Sequence, residues 1–451
     1  MGQDYIPDFY KPRDRHLFAP GPKRILALDG GGIRGLITLG ILSRIEETLG
    51  AQSNDPENFV LAHYFDLIAG TSTGSIIATA LAMGWKVEQV RKLYQELGPT
   101  LFPPTRTIGI LRFKRDAEKL NRILREKLGK DDGGGDMTLD SERFMTGLLI
   151  CAKRIDTDSA WILTNNPKSK YWTSETGAWT PNSKYEVAMI VRASAAAPTY
   201  FEPVSVVIND GANGYAREEG LFVDGAISGH NNPAVTSIMT STLPSYGFGD
   251  VSPSHKPKGW EMGPDKMLVI NVGTGWYRER KDPKSFMKKW PAQQAIDGLK
   301  GMINDTVRND LMLLQSMSNP KAPWWLNSET EHLEDELMSP SPLISFQRYD
   351  GRLNKEIFTR AIGMSDATHS KKEMEAAYKS IMEMDNGSKQ NIHNAYEFGR
   401  WVAESDPEDE ALAPAERHRQ SVKFDHFPEA FNDVLQTVRP LPESVKGRAE
   451  S

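Results

Sequence analysis

Five residues near the start of the chain combine a nucleophile with a turn that would expose it. Gly70, Thr71, Ser72, Thr73 and Gly74 follow a short apolar run and precede an apolar run with helical character. In the order strand, turn, helix, the pattern Gly-x-Ser-x-Gly is typical of a nucleophile elbow, whose two glycines permit a turn too tight for a Cβ. A plain glycine-rich turn with a serine or threonine helix cap would give the same five letters. Ser72 is therefore a candidate nucleophile, and Gly70 and Gly74 are its elbow glycines.

A second glycine-rich segment could stabilise the negative charge that such a nucleophile creates. Residues 29–35 are Asp-Gly-Gly-Gly-Ile-Arg-Gly, between a strand-like run and a helical one. The spacing of Gly30, Gly32 and Gly35 matches the dinucleotide-binding fingerprint, but the acidic residue expected about 20 residues later falls in a polar loop instead of at a strand end. An oxyanion hole is the better interpretation, because the N–H groups of glycines can approach a carbonyl oxygen without obstruction. Arg34 beside them suits a phosphate or carboxylate.

A serine nucleophile needs a base, and two arrangements are open. Asp224 follows the strand-like residues 221–223 and precedes a Gly-Ala pair. With His230, six residues further on, it would complete a triad in the order Ser, Asp, His. Alternatively, Asp224 takes the proton itself as the second member of a dyad with Ser72. An Asp-Gly pair by itself is often only a turn.

The whole chain of 451 residues has the composition of a globular protein, with 39% hydrophobic and 25% charged residues. Its formal net charge of −6 argues against general nucleic-acid binding, so no DNA or RNA polymer is expected as a partner. Cys151 is the one cysteine, which excludes an internal disulfide, and residues 1–23 contain no apolar signal-like segment. These features predict a cytoplasmic location. No apolar run reaches the roughly 20 residues that cross a bilayer, so any membrane contact is expected to be peripheral.

Alternating strand-like and helix-like segments predict a layered α/β domain between residues 23 and 275. The strand-like runs are 24–28, 65–69, 147–155, 160–164, 221–223 and 267–273. Apolar residues at helical spacing predict helices at 36–49, 86–97 and 185–196, and Asp116 is a candidate cap for a helix ending at residue 128.

The segments outside this region differ from it. Residues 1–22 carry prolines and charges without periodicity, which predicts a loose N-terminal arm. Residues 276–439 are mostly helical, although the strand-like run 343–349 could return to the main sheet, and residues 440–451 are expected to be a flexible tail. The apolar and basic stretch at residues 101–113, broken by prolines, fits a lipid-contacting lid and a loop folded on the core about equally well.

In combination, these motifs resemble those of the patatin-like phospholipases, whose catalytic domain is similar to that of cytosolic phospholipase A2. The glycine loop, the Gly-Thr-Ser-Thr-Gly elbow and the Asp-Gly-Ala segment occur in the family's order, and residues 192–201 and 268–275 also agree with the family. The resemblance covers about residues 24–275. It implies a three-layer α/β/α catalytic domain at residues 23–275 with a mostly parallel central sheet, followed by a mainly helical C-terminal part.

The resemblance implies that Ser72 is the nucleophile and Asp224 its base in a Ser-Asp dyad, which leaves His230 as a loop residue. The expected substrates are the acyl esters of membrane glycerophospholipids, reached by peripheral contact with the inner membrane surface. The family's reaction requires no metal, and the sequence predicts neither a metal site nor another cofactor.

The same resemblance assigns the remaining site residues. The N–H groups of Gly31 and Gly32 would form the oxyanion hole, with Gly30 structural or assisting. Arg34 would hold the lipid phosphate. Two other functions compete with this one. An esterase or acyltransferase would act on soluble acyl groups, and a non-catalytic nucleotide-binding or scaffold protein would use only the glycine loop.

Some bacterial patatin-like proteins are effectors of antiphage signalling, switched on by a cyclic oligonucleotide that drives assembly. This implies a cyclic di- or trinucleotide activator and a homo-oligomer, with the C-terminal helices contributing to a regulatory pocket or an oligomer contact. A run of basic residues could supply phosphate contacts, although such runs are usually solvated faces. Its members are Arg278, Arg280, Lys284, Lys288 and Lys289.

Overall fold

The computed structural model describes residues 11–101, 110–132, 134–198, 200–248, 259–277, 282–320, 323–333 and 336–404. The strands are β1 (Lys23–Leu28), β2 (Leu67–Thr71), β3 (Gly147–Arg154), β4 (Ser159–Thr164), β5 (Val204–Asn209), β6 (Glu218–Asp224), β7 (Met267–Val272) and β8 (Ser345–Tyr349). The first six α-helices are α1 (Pro12–Phe18), α2 (Gly35–Gln52), α3 (Thr73–Ala82), α4 (Val87–Leu101), α5 (Ile110–Lys127) and α6 (Val187–Ser194). The others are α7 (Ala234–Thr242), α8 (Pro283–Met287), α9 (Pro291–Ser316), α10 (Lys355–Ala361), α11 (Lys371–Met382) and α12 (Lys389–Glu404).

All eight strands form one sheet. Their order is β5-β6-β3-β2-β1-β7-β8, and β4 pairs with β3 outside this path. The five strands β3, β2, β1, β7 and β8 run parallel to one another, whereas β4, β5 and β6 pair with their neighbours in antiparallel orientation. The predicted mostly parallel central sheet is thus confirmed, and the strand-like run 343–349 does return to the sheet, as β8 beside β7.

Helices cover both faces of the sheet, because the inner strands are apolar on both sides. Alternate residues of β1 point to opposite faces, so that Leu26 and Leu28 contribute to one core and Ile25 and Ala27 to the other. The first core is completed by α2 to α6 and α10 to α12, and the second by residues of α1, α7 and α9. This is the three-layer α/β/α arrangement expected from the sequence.

Two local predictions were wrong. The N-terminal arm predicted for residues 1–22 contains α1, whose Leu17 and Phe18 are buried in the second core. Lys23 also begins β1. The second error concerns α5, which begins at Ile110, so that Asp116 lies within the helix instead of capping it. Residues 1–10 of the arm, the C-terminal tail and residues 102–109 of the apolar and basic stretch lie outside the described residues.

The region after residue 275 is joined to the sheet by β8 and by α12. Helix α12 crosses α2 at Gly399 and Gly40, where a Cβ on either glycine would overlap the backbone of the other helix. The division predicted between residues 275 and 276 stays a prediction, and the sheet itself continues across it. Within the described ranges, no helix is both long enough and apolar enough to cross a membrane.

Candidate active site

Ser72 occupies the sharp turn between β2 and α3. Its backbone has φ 55° and ψ −127°, a conformation that is strained for a residue with a side chain. A Cβ on Gly70 would overlap the backbone of Gly74, and a Cβ on Gly74 would overlap the backbone at Leu28 and Asp29. Close approach of the backbone therefore requires glycine at both positions, and the same packing maintains the strained conformation of Ser72.

The position of Asp224 follows from the way two strands share one side of β3. Strand β2 pairs with β3 up to Thr71, opposite Cys151. Strand β6 runs in the opposite direction along the same side of β3 and ends with Asp224, opposite Ala152. The C-terminal ends of β2 and β6 therefore meet, and the Asp224 carboxyl group comes within hydrogen-bonding reach of the Ser72 hydroxyl.

The Asp224 carboxyl group is held in a nearly dry environment. Only 3% of the residue is exposed, and its Oδ1 accepts a 2.9 Å hydrogen bond from the N–H of Ala226. Burial raises the pKa of Asp224 to about 6, although the hydrogen bonds from Ser72 and Ala226 act in the opposite direction. A carboxyl group with this pKa is ionised at neutral pH and still basic enough to accept a proton.

One segment fixes the backbone of both residues. The Ser194 hydroxyl accepts a 3.0 Å hydrogen bond from the N–H of Ser72 and donates one of 2.7 Å to the carbonyl of Cys151. Two residues later, the carbonyl of Ala196 accepts a 3.0 Å hydrogen bond from the N–H of Asp224. Residues 192–201 resemble a segment of the family, but nothing in their sequence indicates that Ser194 contacts the elbow.

His230 does not complete a triad. Its Nδ1 lies 2.8 Å from the hydroxyl of Thr236 on α7, and its main-chain carbonyl accepts a hydrogen bond from Thr71. Burial lowers the pKa of His230, which favours the neutral ring. Ser72 lies close enough to Asp224 to lower the pKa of its carboxyl group, whereas His230 bonds to other residues, so the geometry favours the dyad over the triad.

The glycine loop after β1 offers two backbone donors and not three. The N–H of Gly30 donates a 3.1 Å hydrogen bond to the carbonyl of Asn231, so the prediction that Gly30 assists in an oxyanion hole was wrong. Within the described residues, the N–H groups of Gly31 and Gly32 have no acceptor. A side chain on Gly31 would overlap Thr274, and Gly32 has a φ of 60°, which favours glycine.

Arg34 follows these glycines and is buried, with 6% exposure. Its guanidinium lies 5.4 Å from the ring centroid of Tyr277. Its Nε and Nη1 have no hydrogen-bond partner among the residues described. Burial lowers its pKa. An arginine that lines a cavity with unsatisfied donors is suited to an anionic group of a bound molecule.

A buried ionic cluster supports the loop from beneath. The Arg348 guanidinium in β8 donates hydrogen bonds to Asp29 at 2.8 Å, to Asp350 at 2.5 Å and to the side-chain carbonyl of Asn271. Asn271 in turn donates a 2.9 Å hydrogen bond to Asp29. Burial raises the pKa of Asp29 to about 6, against the lowering influence of Arg348. The sequence did not predict this cluster as a site. The only related prediction was that residues 343–349 could return to the main sheet.

These groups line a cavity of about 280 Å³. Ser72, Asp224, the glycine loop and Arg34 form one side. Helix α9 forms much of the other, with an apolar row and a polar row facing the cavity. The apolar residues are Ile296, Leu299, Ile303, Val307 and Leu311, and the polar ones are Lys300, Asn304 and Arg308. Such a cavity is suited to a molecule with an apolar chain and a polar end.

The basic run predicted from the sequence is only partly described. Lys284 lies in α8, and Lys288 and Lys289 follow that helix. Lys289 forms a 2.6 Å ion pair with Asp297 of α9. Arg278 and Arg280 lie outside the described residues.

Comparison with known proteins gives one consistent family. A family model described as patatin-like phospholipase matches residues 26–237. The chain is 30% identical over 276 residues to the cUMP-AMP-activated phospholipase of Escherichia coli, covering 60% of this chain and 72% of that protein. It is 31% identical over 281 residues to patatin-17 of Solanum cardiophyllum, covering 60% of this chain and 64% of that protein.

Solved structures are more distant. Human GIVD cytosolic phospholipase A2 superposes with a TM-score of 0.39 and 10% identity, covering 86% of this chain and 59% of that one. VipD from Legionella pneumophila superposes with a TM-score of 0.32 and 14% identity, covering 84% of this chain and 67% of that one. Likeness at this level supports no argument about function.

Proposed function

Because the chain belongs to the patatin-like phospholipase family, we propose that it hydrolyses acyl esters of membrane glycerophospholipids through a dyad of Ser72 and Asp224. The observation that carries the proposal is that Ser72 and the buried Asp224 meet at the ends of β2 and β6, close enough for Ser72 to lower the pKa of the carboxyl group. Both residues line the cavity that also contains the unpaired N–H groups of Gly31 and Gly32.

The proposed reaction has two steps. First, the Ser72 oxygen attacks the acyl carbonyl while Asp224 takes the hydroxyl proton, and the N–H groups of Gly31 and Gly32 hold the oxyanion. The tetrahedral intermediate collapses, Asp224 returns the proton to the leaving oxygen, and lysophospholipid departs. In the second step Asp224 takes a proton from water, whose oxygen attacks the acyl-enzyme, and the fatty acid leaves as the proton returns to Ser72.

Two features support a phospholipid over a soluble ester. The unsatisfied donors of Arg34 suit a phosphate near the reacting carbonyl. The apolar row of α9 offers a wall for an acyl chain, whereas a small soluble acyl group would leave it exposed to water. Contact with the bilayer would be peripheral, at the inner membrane surface.

The test is release of labelled fatty acid from phosphatidylcholine or phosphatidylethanolamine vesicles by the full chain. The parent should hydrolyse these lipids, and Ser72→Ala and Asp224→Asn should each reduce the rate by at least about a thousandfold. Hydrolysis that survives in Ser72→Ala would reject the dyad. A folded parent that cleaves short soluble esters but no phospholipid would reject the substrate class.

We also propose that a cyclic di- or trinucleotide activates the protein and promotes its assembly into a homo-oligomer, in antiphage defence. The support is the Escherichia coli relative, whose name describes activation by cUMP-AMP. Vesicle hydrolysis and sedimentation should both be measured with a panel of cyclic di- and trinucleotides. One nucleotide should increase the rate and the sedimentation coefficient together. If none binds or changes either quantity, the activation is rejected.

A further inference from the structure

The corner between α8 and α9 exposes two large apolar side chains. Met287 at the end of α8 is 77% exposed, and Trp290, the residue before α9, is 78% exposed. A tryptophan is highly buried on average, so exposure of this degree is unusual. The backbone at the corner is well anchored, because Gln294 donates a 3.0 Å hydrogen bond to the carbonyl of Lys289.

Positive charge surrounds these side chains. Lys284, Met287 and Lys288 lie at positions i, i+3 and i+4, which places them on one face. Both lysines are exposed, and neither has a carboxylate partner among the described residues. Residues 282–304 contain four lysines and two aspartates, a net charge of +2, whereas the whole chain carries −6. The corner is thus a local basic and apolar surface on an acidic protein.

The corner is also continuous with the wall of the cavity. Ile296, the first α9 residue that lines the cavity, follows Trp290 by six positions, which is about 9 Å along the helix axis. Leu299 and Ile303 continue the apolar row along the wall of the cavity that Ser72 also lines. A molecule that enters from beside Trp290 would meet apolar side chains along this path.

We propose that the α8–α9 corner is the surface through which the protein docks on an anionic lipid bilayer, with Trp290 and Met287 entering the interface and Lys284 and Lys288 contacting lipid phosphates. The combination of exposed tryptophan with adjacent lysines is typical of elements that lie in a membrane interface. The inference deepens the proposed function, because it identifies where a lipid substrate would be delivered. A second copy of this chain fits less well, since a pair of such corners would bring like charges together.

The test measures vesicle binding by the full chain carrying Ser72→Ala, so that no lipid is consumed. Flotation with phosphatidylcholine vesicles should show weak binding, and inclusion of phosphatidylglycerol should strengthen it. Trp290→Ala and Met287→Ser together should weaken binding to the anionic vesicles by at least about tenfold. Replacing Lys288 by Gln should weaken it about fivefold at low salt. At high salt, Lys288→Gln should bind the vesicles like the parent, whereas the Trp290 and Met287 double variant should still bind more weakly.

Met338→Ser is the matched control. Met338 is 70% exposed, but its N–H donates a hydrogen bond to the carbonyl of Ser316 at the opposite end of α9, about 39 Å along the helix from Trp290. This variant should bind vesicles like the parent. Vesicles with brominated acyl chains should quench tryptophan fluorescence in the parent, and Trp290→Phe should lose part of that quenching. The thermal unfolding midpoints of the Trp290, Met287 and Lys288 variants should match that of the parent, because these side chains are exposed. Met338→Ser also removes the hydrogen bond that the Met338 sulfur accepts from the Ser316 hydroxyl, so a small decrease in its midpoint is expected.

Three results would overturn the proposal. The first is unchanged vesicle binding in the Trp290 and Met287 double variant. The second is an equal loss in the Met338 control. The third is a lower sedimentation coefficient of the double variant without vesicles and no loss of binding, which would make the corner a contact between copies. Since binding is measured without turnover, a protein that docks through this corner but cleaves no phospholipid would reject only the proposed reaction.

Discussion

Arg348 and Asp29 form a 2.8 Å ion pair across 319 positions of the sequence, and both side chains are almost completely buried. The pair connects β8 to the residue that begins the glycine loop. Since Arg348 also binds Asp350, it is the counter-charge of two buried carboxylates. The placement of the candidate oxyanion donors therefore depends on a strand from the other end of the sheet.

Replacing Arg348 by Met should strongly destabilise the fold, because it leaves two buried acids without their cation. We expect a loss of about 3 to 5 kcal/mol in the free energy of unfolding, measured by urea denaturation at pH 7. Arg217→Met is the control, because Arg217 pairs with Glu219 at the surface and should cost less than about 1 kcal/mol. Equal losses in the two variants would contradict the assigned role of the cluster.

The reaction should depend on the ionisation of Asp224. Because its pKa is raised to about 6 and only the carboxylate can accept a proton, kcat/KM should fall tenfold per pH unit below about pH 6. The measurement is a pH profile with a soluble ester, which avoids changes in the vesicles. A profile that stays flat from pH 8 to pH 4.5 in a folded protein would exclude Asp224 as the base.

The same carboxyl group should make stability fall as the pH rises. The pKa of Asp224 is near 6 in the folded state and 3.8 in the unfolded state, so folding favours the protonated carboxyl group. The protonated group adds to the free energy of unfolding below about pH 4, and this contribution is lost as the pH rises to about 6. A difference of about two units between the two pKa values corresponds to about 3 kcal/mol in the free energy of unfolding. Asp224→Asn should therefore be more stable than the parent at pH 8 by about this amount and nearly equal to it at pH 4. A difference that is the same at both pH values in urea denaturation would contradict this linkage.

Ser194→Ala should disturb the elbow without touching the reacting groups. It removes the acceptor of the Ser72 N–H, and an unsatisfied buried N–H costs about 1 to 3 kcal/mol. We expect kcat to fall at least about tenfold because the strained turn relaxes. Ser237→Ala is matched, since Ser237 is also buried but its hydroxyl donates to the Pro233 carbonyl, which already accepts the Ser237 N–H. This control should cost less in stability and leave kcat unchanged.

Gly31→Ala should damage the oxyanion hole directly. A Cβ at this position overlaps Thr274, so the backbone must move, and the N–H of residue 31 would no longer point at the oxyanion. Loss of one such donor typically lowers kcat about 100- to 1,000-fold. Gly135→Ala provides the comparison, because no atom lies within 4 Å of the added Cβ. If Gly31→Ala keeps the parental kcat, the Gly31 amide is not an oxyanion donor.

Arg34→Gln should separate phosphate recognition from chemistry. The guanidinium has unsatisfied donors in the cavity, and a hydrogen bond to a charged group contributes about 1.5 to 3 kcal/mol. KM for a short-chain phosphatidylcholine should therefore rise about 10- to 100-fold. KM for an ester without phosphate should stay near the parental value. An equal change for both substrates would indicate a structural role for Arg34.

Local patterns were sufficient to predict most of the sheet and the elbow. Strands β1 and β7 each contain a run of four apolar residues, and the elbow needs only neighbours in sequence for its geometry. Helix α1 was missed because its two buried apolar residues, Leu17 and Phe18, stand in a stretch of prolines and charges. Periodicity over so short a segment cannot be distinguished from chance.

The rest of the candidate site depends on contacts between distant parts of the chain. No local pattern indicates that Ser194 binds the Ser72 N–H, 122 positions away, or that Arg348 reaches Asp29. The error at Gly30 has the same origin, since its N–H is satisfied by Asn231, 201 positions further on. Glycine content predicts which amides can approach a substrate, but only the fold determines which of them remain unpaired.

The position of β8 at the end of the parallel strands has a consequence for the protein during its synthesis. A nascent chain that has emerged as far as residue 275 already contains Ser72, Asp224 and the glycine loop, but it lacks the strand that carries Arg348. Since chains fold from the N-terminus as they are made, the loop would have its hydrogen bonds to Asn231 and Asn271 but would lack the ion pair with Arg348 until about 75 further residues have left the ribosome. We expect the proposed acyl hydrolysis to begin only after that ion pair forms, so that nascent chains on polysomes are inactive.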